Sequence, residues 1–172
     1  TGWPGPERLV AVRLPVSFRG ARQALRLAVR EHGPRLVVCV GEAARAAVGV
    51  ERVAVNVIDA RIADNDGSAP VDVPVVAGAP AAFFSTLPVR ACARAVAAAG
   101  IPAEVSPSAG TYVCNATFYA LAHLLADRPE VRGGFVHVPL TPEQAGAGAP
   151  SLPTSASARA LAAVVRTALD QP

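Results

Sequence analysis

Gly110-Thr111-Tyr112-Val113-Cys114-Asn115-Ala116-Thr117-Phe118-Tyr119-Ala120-Leu121 reads as a turn that runs into the first turn of a helix, with Cys114 at the junction. A short strand-like run, Ala103 to Ser106, comes before it, followed by Pro107-Ser108-Ala109. After it, Phe118, Leu121, Ala122 and Leu125 fall at helical spacing. A cysteine at a helix N-terminus meets unpaired backbone N–H groups and the positive end of the helix dipole, both of which favour thiolate over thiol. The same N–H groups can hold an oxyanion. The plain alternative for Cys114 is a small buried hydrophobe, the usual fate of a free cysteine. Placement alone leaves both readings open.

Working outward, the chain alternates strand and helix patterns. Thr1 to Pro6 is turn-like, and Leu9 to Val16 reads as a strand. Arg19 to His32 is an amphipathic helix with Ala21, Leu25, Ala28 and Val29 on one stripe, stopped by Gly33-Pro34. Leu36 to Val40 is a short apolar strand of the kind found in buried parallel sheets. Gly41 to Val50 reads as a loop or short helix, and Arg52 to Val57 as a further strand. Asp59 to Pro80 is irregular, with a hairpin expected from Val71 to Val76. Ser85-Thr86 before Pro88 predicts a capped helix that ends at Gly100. The remaining elements are the strand from Ala103, a helix from Cys114 to Asp127, a strand from Gly134 to Val138 and a helix from Ser155 to Leu169, with Leu161, Val164, Val165 and Ala168 inside. This order predicts a single α/β domain over residues 1–172, a three-layer αβα sandwich with a mainly parallel central sheet.

Composition removes several function classes. The chain has 172 residues, enough for one domain with a real core. No apolar run is long enough for a membrane span, and no start resembles a signal peptide, so a cytoplasmic, membrane-free protein is expected. The net charge of +3 is spread along the chain and comes entirely from Arg, without a basic patch for nucleic acid. The three cysteines lack metal-ligand spacing, and their odd number argues against a disulfide framework. Cys39 and Cys92 lie in apolar surroundings and read as structural.

Sites in α/β sheets gather at the carboxyl ends of strands. His137, near the end of Gly133-Gly134-Phe135-Val136-His137-Val138-Pro139, is so placed that it can face Cys114. A histidine simply packed in the sheet is the alternative. His32 ends a helix and suits its dipole. His123 follows Cys114 on the helix and is expected at an exposed or interface position. Glu51 can orient an imidazole or can be a solvated loop acid.

Three segments together resemble the pyroglutamyl peptidase I family of cysteine peptidases. They are Gly41 to Asn65, containing Glu51-Arg52-Val53-Ala54-Val55-Asn56-Val57 and Asp59-Ala60-Arg61-Ile62; Phe84-Ser85-Thr86-Leu87-Pro88-Val89-Arg90; and Gly110-Thr111-Tyr112-Val113-Cys114-Asn115, continued by Gly133 to Pro139 and Pro142-Glu143-Gln144. Order and spacing hold from about Leu9 to Leu169. The resemblance implies a triad in which Cys114 attacks, His137 moves the proton and Glu51 orients the imidazole. It implies that Arg61 lies by the site and that Ile62, Tyr112 and Val113 help to line a pocket for the lactam ring. It implies peptides with N-terminal pyroglutamate as substrates, no metal or organic cofactor, and a homo-oligomer, often a tetramer.

The chain also departs from the family pattern. It starts with Thr1, after the position of the family's first strand and Gly-Phe-x-Pro-Phe-Gly loop, so a chain truncated at its N-terminus is expected. The Gly41 loop is one residue shorter, with Ala43-Ala44-Arg45 where a Gly pair is usual, Glu42 where Gln is common and Gly49 where Thr or Ser is usual. Tyr112 stands in place of Phe. These departures leave a non-catalytic relative or fragment as the alternative to an active peptidase; a different α/β hydrolase or nucleosidase-like activity on the same general fold is a weaker third reading.

Overall fold

The computed structural model describes residue 3 and residues 5–170, so the turn expected over Thr1 to Pro6 lies partly outside the described residues. Helix α1, Phe18–His32, starts where the Ser17 side chain accepts a hydrogen bond from the Gly20 N–H. It stops at Gly33, which takes the left-handed conformation (φ 51°) and donates its N–H to the Val29 carbonyl. Strand β1, Leu36–Ala43, β2, Val48–Glu51, β5, Ala103–Ser106, and β6, Arg132–Pro139, form one sheet in the order β1-β6-β2-β5. β1 and β6 are parallel, β2 and β5 are parallel, and β2 meets β6 antiparallel. β3, Val53–Val55, and β4, Ala82–Phe84, pair antiparallel as a separate ribbon.

Helices cover both faces of the main sheet. α1 and α3, Val113–Leu125, pack together with Cys39 and Phe135 in one apolar cluster. α2, Val89–Ala98, and α4, Thr154–Asp170, pack with Val48, Val50, Val136 and Val138 in the other. Strand side chains alternate between faces. On β6, Phe135 therefore points toward α3 and Val136 toward α2 and α4, and His137 falls on the α3 side. On β2, Val48 and Val50 take the α2 and α4 side, which leaves Gly49 and Glu51 facing the same way as His137. This is the expected three-layer α/β sandwich. No helix among the described residues is long and apolar enough to cross a membrane.

Several local expectations are corrected. Leu9 to Val16 is not a strand: no ladder partner lies beside it among the described residues, and Leu9, Val10, Val12 and Val16 are exposed. Alternation alone cannot make a strand, because the backbone groups need a neighbour to bond. Gly41 to Val50 is neither loop nor short helix throughout. β1 continues to Ala43 because β6 runs beside it, pairing Gly41 with His137 and Ala43 with Pro139, and β2 starts at Val48. The strand read from Arg52 to Val57 is only Val53–Val55 and pairs with β4, an element the sequence reading missed. No hairpin forms from Val71 to Val76; Val73 instead bridges Ile58 through two backbone hydrogen bonds. Ser85 and Thr86 do not cap α2. Both side chains bond Gly133 on β6, and Pro88 precedes α2 without a side-chain cap. On α4 the most buried stripe is Ala156, Ala160, Val164 and Ala168, with Leu161 and Val165 half-buried.

Candidate active site

Cys114 is the second residue of α3, after Tyr112 at the helix entry and Val113 in its first turn. The neighbouring Asn115 fixes this helix start to β3: its amide donates to the Val55 and Val57 carbonyls and accepts from the Val55 N–H. The thiol is half-buried. A Cβ placed on Gly41 would lie 3.0 Å from Cys114 Sγ and 3.0 Å from the Phe135 ring. Gly41 thus provides the close approach that lets the thiol reach the sheet opposite His137, its β6 partner.

His137 is 5% exposed, and its ring packs on Phe135 with centroids 4.8 Å apart. Its Nδ1 lies 2.8 Å from Glu51 Oε1. Glu51 ends β2 and is fully buried, so the solvated-loop alternative for it falls. An ionised carboxylate only accepts hydrogen bonds, so a neutral imidazole in this contact donates from Nδ1 and keeps Nε2 as its acceptor. Arg45, in the turn between β1 and β2, donates Nη1 to the same Glu51 oxygen at 3.2 Å. Glu51 Oε2 is buried with no hydrogen-bond partner among the described residues.

Burial and the negative charge of Glu51 push the Cys114 thiol above its ordinary range, while Arg45 and the backbone N–H at the helix start pull it down. The helix terminus therefore acts in the direction read from the sequence, but burial outweighs it. Cys39, behind it on β1, is pushed up to about 12 and Cys92 to about 11 by burial.

The other sequence-predicted residues lie in two segments, around 59–63 and 111–113, that hydrogen bonds join. Tyr112 packs edge-on to Phe18 and donates its hydroxyl to the Ala63 carbonyl at 3.0 Å. Thr111 is bonded twice to Asp59, backbone to backbone and through its hydroxyl, which ties the Arg61 and Ile62 segment to the turn before Cys114. Val113 is buried, and Ile62 is 68% exposed. Glu42 is bonded by Gln144 at 3.0 Å, and Gln144 is itself held by the Thr141 N–H. The sequence reading assigned Arg45 no part in the site. Its position six residues before Glu51 in a small-residue turn was the available signal. Among the described residues no group of three or more His, Cys, Asp and Glu could hold a metal ion.

Comparison with known proteins places this geometry in context. A profile of the pyroglutamyl peptidase family matches residues 5–171. The pyrrolidone-carboxylate peptidase of Streptomyces coelicolor is 50% identical over 98% of this chain and 80% of its own length. That of Gloeobacter violaceus is 54% identical over 80% of this chain and 67% of its own. The crystal structure of Bacillus amyloliquefaciens pyroglutamyl peptidase I superposes with a TM-score of 0.95 at 39% identity, covering 99% of this chain and 84% of that one. The pyrrolidone carboxyl peptidase of Thermococcus litoralis superposes with a TM-score of 0.88 at 40% identity, covering 91% and 76%.

Proposed function

The chain belongs to the pyroglutamyl peptidase family, and from that premise we propose that it hydrolyses the bond after an N-terminal pyroglutamate with Cys114 as nucleophile, His137 as general base and Glu51 as the group that orients the imidazole. The observation that carries this assignment is the 2.8 Å contact between His137 Nδ1 and Glu51 Oε1, on the sheet face that the Cys114 thiol reaches over Gly41.

The chemistry follows from these roles. His137 Nε2 takes the thiol proton as Cys114 Sγ bonds to the pyroglutamyl carbonyl carbon. The resulting oxyanion sits at the start of α3, where unpaired backbone N–H groups and the helix dipole favour negative charge. The C–N bond breaks as the imidazolium returns its proton to the leaving amine. Water, deprotonated by Nε2, then attacks the thioester, releasing free pyroglutamate and restoring the thiol. Glu51 stabilises the imidazolium formed in each half-reaction and keeps the ring in the tautomer that exposes Nε2. Arg61 lies by the site, and Ile62, Tyr112 and Val113 help to line the pocket for the lactam. The uncharged ring suits a largely apolar wall with few aimed polar groups.

The test is hydrolysis of a fluorogenic pyroglutamyl amide, with an alanyl amide as control. Turnover is expected for the pyroglutamyl substrate alone. Cys114→Ser should abolish it and Glu51→Gln should lower kcat by about 10²-fold or more, both with an unchanged circular dichroism spectrum. Turnover that survives Cys114→Ser would overturn the assignment.

A further inference from the structure

The turn between β1 and β2 contributes a charge to the site that the three-residue chemistry leaves unused. Arg45 Nη1 and His137 Nδ1 converge on one oxygen of Glu51, at 3.2 and 2.8 Å. The Arg45 side chain is 22% exposed and the Glu51 side chain is fully buried, so the pair is largely withdrawn from solvent screening. Room for the guanidinium comes from Gly49, on the same face of β2 as Glu51. A Cβ there would overlap Arg45 Nη1, whereas the bare glycine leaves the path open. The charged and titratable groups that act on the thiol are thus Glu51 from β2, Arg45 from the turn and Cys39 from β1, with His137 from β6 bonded to Glu51.

We propose that Arg45 is a positioning residue of this site: it holds the Glu51 carboxylate against His137 and offsets the carboxylate's charge at the Cys114 thiol. The inference rests on the triad assigned above. Its physical basis is the sharing of a single oxygen. With Oε2 buried and unpartnered, Glu51 is oriented by Arg45 and His137 alone among the described residues. A carboxylate held only by the imidazole is free to turn Oε2 toward it and change the ring's aim. The thiol also sits between opposite charges, Glu51 resisting its ionisation and Arg45 assisting it. Arg45 is therefore the cation that keeps a buried carboxylate compatible with a nearby thiolate.

The experiment follows alkylation of Cys114 by iodoacetamide across pH 6 to 11, with the adduct assigned by peptide mass, in the wild-type chain and in Arg45→Met, Arg45→Lys and Gly49→Ala. Arg45→Met keeps most of the stem and removes the charge. It should move the labelling midpoint to higher pH and slow labelling at pH 8 by about threefold to tenfold. Arg45→Lys should stay near the wild-type curve. Gly49→Ala should follow Arg45→Met, because the new methyl displaces a flexible side-chain tip without deleting it. The alkaline-going rise of kcat/KM for the pyroglutamyl amide should shift with the same variants, with KM changed less than kcat. A merely structural Arg45 would lower rates at every pH without moving either curve. Superimposed curves for folded Arg45→Met and wild type, alongside a dead Cys114→Ser, would overturn this proposal and leave the triad standing. Turnover surviving Cys114→Ser would overturn both. If Arg45→Met does not fold, the contrast between Arg45→Lys and Gly49→Ala decides the matter by the same criterion.

Discussion

Cys114 carries two opposed influences. Its backbone position at the start of α3 favours the thiolate, while burial and Glu51 hold the thiol above its ordinary range. Reactivity among the three cysteines then follows their surroundings. Cys92 at about 11 and Cys39 at about 12 are both buried in apolar clusters, whereas Cys114 is half-buried and has Arg45 in its favour. In the native protein, iodoacetamide at pH 8 should modify Cys114 at least about tenfold faster than either of the others. Equal labelling of all three by peptide mass would contradict the assignment. Because the Cys114 thiol is raised, its labelling rate should still be climbing as pH passes 9, not levelling off near neutrality.

At the scale of elements, the site depends on the junction between α3 and β3. Asn115 is fully buried and makes three hydrogen bonds to β3 and the residue two beyond it. Asn115→Ala would strand the Val55 N–H and two carbonyls. The expected loss is about 3 kcal/mol, lowering Tm by roughly 10 °C. Calorimetry checks this, and a shift under 2 °C would show that the clamp is dispensable. Since Asn115 adjoins Cys114, the variant should also lose activity at temperatures where it remains folded. The turn between β1 and β2 works in a similar way. It is short, bounded by two strands that both pair with β6, and so holds Arg45 at a set distance from Glu51.

For the molecule as a whole, the two apolar layers have a pH consequence. Cys39 and Cys92 are neutral when folded and ionise near 9 when unfolded, against about 12 and 11 in place. A raised folded pKa gives stability that is complete below the unfolded value and lost as pH climbs toward the folded one. Stability should therefore be level below pH 9 and fall between pH 9 and 12, by on the order of 1 kcal/mol per pH unit for each thiol. Urea unfolding at pH 8 and pH 10.5 checks this. Cys39→Ala should flatten the slope while lowering stability at pH 8 through lost packing. An unchanged slope would mean that Cys39 does not carry the effect.

Much of the fold was legible in the sequence because it rests on local rules. Gly33 stopping α1, the strand Ala103–Ser106 and the α3 stripe follow from glycine's left-handed conformation and from apolar period. The same sequence carried Glu51, Cys114 and His137 in motifs that pointed to the chemistry. The remaining features were settled only by contact between distant segments. β1 runs on to Ala43 because β6 lies beside it, and Leu9 to Val16 makes no strand because no strand among the described residues pairs with it. Ser85 and Thr86 reach β6 instead of capping a helix. Glu51 is a buried sheet residue bonded to His137 across 86 positions of sequence, and Arg45 joins it only because Gly49 leaves a gap. Sequence specifies what each segment prefers by itself. Which segment completes another's hydrogen bonds, buries its charge or yields it space is a property of the folded chain, because those energies exist only once the partners have met.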